Sequence, residues 1–165
     1  MTANARLSRE FTMQINNPID NVSFTLPNEN NLLEWNFIIL GPSGSPYEGG
    51  IYNGIIIFPT SYPHDPPKVR FTSKLFHPNV YNGDVTGEHK IGDLCISILH
   101  KGTDVTSGEH ELERWRPIQN VRTIFTSIVS LLHDPNADSA ANVDAAKMWR
   151  DDKKSYYRKI RDDME

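Results

Sequence analysis

The chain holds one cysteine, Cys95, among 165 residues. A lone thiol forms neither an internal disulfide nor a multi-cysteine zinc site, which leaves two roles for it, buried apolar filler or nucleophile. It also fits a reducing compartment, cytosol or nucleus. Long apolar runs are missing as well. Nothing approaches the roughly 20 residues that a membrane-spanning helix requires, and residues 1–10 lack the charged-then-apolar plan of a secretory signal, so no direct membrane insertion is expected. Positive charge is in deficit: 17 Lys and Arg stand against 21 Asp and Glu, a net charge of −4, with a pI near 5.8. That balance argues against a nucleic-acid partner, which needs a basic face to neutralise phosphates. The six histidines include no His-x-x-x-His pair and sit beside no cysteine cluster, and the glycine-rich stretch 41–50 lacks the Lys-Ser/Thr ending of a phosphate loop. No metal and no cofactor are expected.

What the chain does hold changes character along its length. Leu7, Phe11 and Ile15 recur at four-residue spacing, one face of a short helix over about 6–15 that Pro18 ends. Residues 22–26, 33–40, 51–58 and 69–72 are rich in aromatic and β-branched side chains and are separated by Pro and Gly, which predicts four short strands in an antiparallel meander. Pro59, Pro63, Pro66, Pro67 and Pro78 then remove ladder donors, so this passage reads as semi-rigid irregular chain. After Trp115 the helical period returns in Val121, Ile124, Phe125, Ile128, Val129 and Leu132, stopped at Asp134-Pro135-Asn136. The tail places Val143, Ala146, Trp149, Tyr156 and Ile160 among many charges, which suits one or two surface helices with a narrow apolar edge. Helix, strands, loop and helices in that order indicate an α+β fold in one domain over residues 1–165.

Read together, several motifs carry a resemblance. Gly41-Pro42-Ser43-Gly44-Ser45-Pro46-Tyr47-Glu48-Gly49-Gly50, Phe58-Pro59, Tyr62-Pro63, Pro66-Pro67-Lys68-Val69, His77-Pro78-Asn79, Cys95 and Trp115 stand in an order that resembles the ubiquitin-conjugating enzymes through nearly the whole chain. The resemblance implies an N-terminal helix, a four-stranded antiparallel meander, a catalytic loop and C-terminal helices. Insertions relative to the family fall near 82–94 and 101–114. The second is acidic, and with Ala141-Asn142-Val143-Asp144-Ala145-Ala146-Lys147 and Trp149-Arg150-Asp151-Asp152 it is similar to the acidic-loop subfamily that builds polyubiquitin chains and serves degradation linked to the endoplasmic reticulum. A cytoplasmic protein follows, recruited to the endoplasmic reticulum surface by a partner.

The same resemblance assigns chemistry. Cys95 would accept the ubiquitin carboxyl terminus from the activating enzyme as a thioester, which keeps the acyl group reactive toward a substrate lysine. Asn79 has two readings, an oxyanion donor for that transfer or a loop tie. His77 reads as a structural partner of the loop rather than a base. Asp104, Glu109, Glu111 and Glu113 would gate or orient the incoming lysine. Ser139 occupies the position where many relatives carry a carboxylate. Arg6 and Arg9, three apart on the first helix, would dock the activating enzyme. His64, Pro66, Pro117 and Ile118 correspond to the surface for a ligase, of the RING type by resemblance, although His64-Asp65 departs from the family's usual residues there. Asn79 and Cys95 lie 16 positions apart, about twice the family's separation, so their meeting requires the intervening residues to bulge outward. Two other readings stand beside this one: an inactive relative that binds ubiquitin without a thioester, and a cysteine hydrolase that pairs Cys95 with His77 or His100.

Overall fold

A computed structural model describes residues 2–83, 87–102 and 113–164. The chain runs α1 (Ala3–Asn16), β1 (Val22–Thr25), β2 (Glu34–Leu40), β3 (Ile51–Ile57), β4 (Lys68–Phe71), a 3-10 turn (Ser97–Leu99), α2 (Val121–His133), a second 3-10 turn (Ala137–Ser139), α3 (Val143–Asp151) and α4 (Lys153–Met164). The strands form one antiparallel sheet in the order β1-β2-β3-β4, the meander that the spacing predicts. Phe24 faces Phe37, and Gly54 faces both Phe37 and Phe71 across the ladders. A Cβ on Gly54 would lie 2.1 Å from the Phe37 ring, so only glycine lets that ring cross the sheet.

Alternation along the strands puts Val22, Phe24, Trp35, Phe37, Ile39, Ile56, Val69 and Phe71 on the inner face. Against it packs α2, whose Phe125 meets Phe24 and Phe37 edge-on, each at 4.9 Å between ring centroids. Asn120 and Thr123 close a reciprocal capping box at the start of α2.

The helix α1 begins earlier than the periodicity indicates, because the Thr2 hydroxyl accepts from the Ala5 amide at 3.1 Å. Its buried stripe is Leu7, Glu10 and Gln14, whereas Ile15 is 59% exposed. Leu7 and Phe11 pack inward as the spacing predicts, Phe11 edge-on to Trp35, but Glu10 and Gln14 rather than Ile15 complete the buried face. Glu10 explains why: its carboxylate takes bonds from Arg6, from the Tyr62 hydroxyl and from the Val121 amide at the start of α2. In the tail, α3 and α4 bury Ala145, Ala146, Tyr156 and Ile160, while Val143 at the start of α3 is 56% exposed and off the packing edge. Tyr156 is anchored by a 2.6 Å contact between its hydroxyl and that of Tyr47, which in turn donates to the Phe76 carbonyl.

Candidate active site

The site is built where the chain returns to β4 after the proline-rich passage. Leu94 N–H donates to the Val69 carbonyl and Phe71 N–H to Gly92, so residues 92–94 run antiparallel beside the strand. On the other side Tyr81 and Gly92 close a ring: Gly92 N–H donates to Tyr81 O at 2.8 Å, and Tyr81 N–H donates to Asp93 O at 2.9 Å. Gly92 has φ of +95°, and a Cβ there would lie 2.0 Å from the Phe71 carbonyl, so this closure needs glycine. Asp93 locks it through its carboxylate, which takes the Arg70 guanidinium at 2.6 Å and the Lys90 amide at 2.9 Å. Although Asn79 and Cys95 stand 16 positions apart, this pairing brings their backbones together, and Cys95 N–H donates directly to the Asn79 carbonyl at 2.8 Å.

Asn79 is 1% exposed and its side chain is fully used. Its amide nitrogen donates to the carbonyls of Asn136 at 2.9 Å and Ser139 at 3.2 Å, and its oxygen accepts the Asn136 amide at 3.0 Å. Pro78 adds to this clasp by accepting the amides of Ala141 and Asn142. The His77-Pro78-Asn79 run thus holds the loop between α2 and α3 over the thiol. His77 is buried behind it. Its Nδ1 accepts the Asn79 amide at 3.0 Å, which leaves Nε2–H to donate to Leu131 O at 2.7 Å. Burial holds this imidazole neutral, with a pKa lowered to about 4 against the opposing effect of the Leu131 bond. Both ring nitrogens are committed to backbone groups.

Cys95 is half-buried and free. The turn that follows it, Ser97–Leu99, is closed by His100 N–H donating to Ser97 O at 2.9 Å, and this swings the His100 ring back until Nε2 lies 3.8 Å from Sγ. Two clefts open from the thiol. The larger, about 730 Å³, runs along the polar side of α2 and reaches Asn79, Ser139, Glu113 and Arg122. The narrower, about 150 Å³, lies between β4 and the looped-out segment and reaches Lys68, His89 and Asp93. Ser139 is exposed at the rim of the larger cleft and takes part through its backbone carbonyl. Glu113 is exposed there too, whereas Asp104, Glu109 and Glu111 lie outside the described residues.

The residues expected to meet partners divide. Arg9 is exposed, but the Arg6 guanidinium is turned inward, onto Glu10 at 3.0 Å and the carbonyls of Pro117 and Gln119 at 3.1 and 2.8 Å. It pins the loop before α2 to α1. His64 and Pro117 are exposed, Pro66 is partly covered, and Ile118 is 71% exposed. Trp115 ties this face together by donating its indole N–H to Pro63 O at 2.9 Å. Asp65 pairs with Lys101, and that bond, followed by one from Ser61, holds its carboxyl below the usual range. Sequence reasoning missed Glu10 and the Arg70–Asp93 pair; both are lone charges until the fold brings their partners in.

Comparison with known proteins agrees along the full length. The family model described as "Ubiquitin-conjugating enzyme" matches residues 6–164. The chain is 44% identical over 158 residues to the human protein named "Ubiquitin-conjugating enzyme E2 G2", covering 95% of this chain and 91% of that one. It is 43% identical over 159 residues to "Ubiquitin-conjugating enzyme E2 7" of Arabidopsis thaliana, covering 96% and 91%. With "Ubiquitin-conjugating enzyme E2-18 kDa" of Schizosaccharomyces pombe it shares 42% over 157 residues, covering 94% and 90%. Among the described residues no helix is long and apolar enough to cross a membrane. Since the match takes in the sheet, the thiol and the closing helices alike, this chain belongs to the ubiquitin-conjugating enzymes.

Proposed function

We propose that Cys95 takes the ubiquitin carboxyl terminus from the activating enzyme by thioester exchange and passes it to the amine of a lysine. The bond from Cys95 N–H to Asn79 O at 2.8 Å carries this reading, because it sets the thiol beside the His77-Pro78-Asn79 clasp despite the long separation in sequence. A thioester suits a carrier, since it stays activated toward an amine yet forms by exchange without further energy input.

Asn79 serves the transfer step in two ways. It fixes the 136–139 loop beside the thiol, and its amide donates to the oxygen that gains charge as the amine attacks. Donation there requires one of its two bonds to yield, and the 3.2 Å bond to Ser139 is the longer. Oxyanion donors of this kind are worth about 2.7–4 kcal/mol. His77 supports Asn79 from behind. Ser139 cannot supply the charge of a carboxylate, so Glu113 at the rim, with Asp104, Glu109 and Glu111 in the acidic loop, orients the incoming ammonium.

Arg9 contributes to docking on the activating enzyme, with Arg6 shaping the surface beside it. A RING-type ligase would bind across His64, Pro66, Pro117 and Ile118. The acidic insert, with the 141–147 and 149–152 stretches that resemble the acidic-loop subfamily, supports polyubiquitin chain building and a cytoplasmic enzyme brought to the endoplasmic reticulum by a partner. The test is incubation with activating enzyme, ATP and ubiquitin. A reductant-sensitive adduct one ubiquitin heavier, absent in Cys95→Ala, supports the reading. Ubiquitin binding without an adduct, while a control enzyme charges normally, overturns it in favour of a binding-only relative.

A further inference from the structure

We propose that His100 is a catalytic residue of this enzyme, the group that takes the proton from the Cys95 thiol as the thioester forms. This deepens the reading of Cys95 as carrier and rests on it.

The geometry has three parts. His100 Nε2 lies 3.8 Å from Sγ, within hydrogen-bonding range for sulfur. The main chain of His100 is held on both sides, by its own N–H on Ser97 O and by Trp115 N–H on its carbonyl, each at 2.9 Å. Trp115 is buried and fixed to Pro63, so the backbone that carries the ring is anchored to a rigid frame. Cys95 and His100 also line both clefts, which puts the pair on the ridge between them. His77, behind Asn79, has both its nitrogens taken, and His89 stands across the narrow cleft beside Asp93.

A thiol of ordinary pKa, about 8.5, is only about 3 per cent ionised at pH 7, and the thiolate is the nucleophile. In the tautomer with its proton on Nδ1, Nε2 of His100 accepts the thiol proton. The sulfur lone pair then forms the new C–S bond to the ubiquitin carbonyl, the C–S bond to the activating enzyme breaks, and the departing thiolate takes the proton back from the imidazolium. Nothing is oxidised or reduced, and His100 is returned neutral. Among the described residues, the charged and titratable groups around the pair are Lys68, His89 and Asp93 on the narrow cleft and Glu113 and Arg122 on the broad one. Full ionisation would raise the reactive fraction by at most about 30-fold at pH 7.

The test exploits the single thiol. Iodoacetamide alkylation is followed from pH 5 to 10 for the wild type, His100→Gln and His100→Ala, and charging with ubiquitin is timed at pH 7 and pH 9.5. Wild type is expected to show an inflection in the imidazole range. Both variants should titrate as ordinary thiols, with alkylation and charging about tenfold slower at pH 7 and near wild type at pH 9.5. Superimposable alkylation profiles in a wild type that charges normally overturn the role of His100 alone. If one variant does not fold, the other decides. Distinct profiles in a protein that never charges would sustain the pair and overturn the carrier reading instead.

Discussion

Glu10 on the first helix accepts the backbone N–H of Val121 at 2.8 Å, so a carboxylate 111 positions upstream caps the helix that fills the core. The same side chain takes the Tyr62 hydroxyl and the Arg6 guanidinium, and burial followed by Glu10 raises the tyrosine pKa well above its ordinary value. Removing the carboxylate strands three donors at once. Glu10→Ala should therefore cost about 3–5 kcal/mol of stability in urea unfolding, and Glu10→Gln about half of that. A loss under 1 kcal/mol for Glu10→Ala would mean the cap is dispensable.

Asn79 separates the two half-reactions. Asn79→Ala should still form the ubiquitin adduct, whereas discharge to free lysine should fall about 100-fold if the amide stabilises the oxyanion. If it acts only as a tie, discharge falls in proportion to the loosening of the 136–139 loop and is recovered by raising lysine concentration. Single-turnover discharge against lysine concentration distinguishes them, the first changing the limiting rate and the second the half-saturating concentration.

His77 predicts a pH window. Its folded pKa is lowered to about 4 from an unfolded value of 6.5, so the folded state keeps it neutral while the unfolded state binds a proton between those values. Stability is therefore whole above pH 6.5 and falls as pH drops toward 4, by about 3 kcal/mol across the window. His77→Gln, which can still donate and accept, should flatten this dependence. An unchanged slope would place the acid sensitivity elsewhere.

Gly92→Ala tests the closure behind the thiol. A methyl group 2.0 Å from the Phe71 carbonyl, on backbone at φ +95°, should cost about 3 kcal/mol. Hydrogen exchange of the Gly92, Tyr81 and Cys95 amides should rise together. Exchange confined to Gly92 would show that the ring does not act as one unit.

Arg6 and Arg9 should part company. Arg9→Glu is expected to slow charging without altering the melting temperature, whereas Arg6→Ala should lower the melting temperature through the lost bonds to Pro117 and Gln119. Equal effects on both measures would show that the two arginines act together.

The meander and α2 were legible in the sequence because alternation and the 3.6-residue period each leave a run of apolar positions. The family motifs pointed to Asn79 and Cys95 because His77-Pro78-Asn79 is a contiguous run and Cys95 is the chain's single thiol. The buried face of α1 was legible only in Leu7 and Phe11, since periodicity assigns Ile15 inward and gives no reason to bury Glu10. That reason lies in Tyr62 and Val121, which only the fold brings near. Asp93 was hidden likewise, its partner Arg70 being on another strand. His100 was visible as a candidate partner for the thiol, but a separation of five in sequence does not specify a turn that folds the ring back to sulfur.

The ring closed by Tyr81 and Gly92 separates length from position. The bonds that Cys95 itself makes, to the Asn79 carbonyl and toward His100 Nε2, come from outside it, so the number of residues enclosed ahead of Lys90 can vary. Doubling such a loop costs only about 0.6 kcal/mol in closure entropy. A peptide tag or a small recognition element threaded between Tyr81 and Gly92 would therefore ride within a few residues of the acyl-transfer centre without displacing it, making this collar a port through which new substrate contacts can be added to an unchanged catalyst.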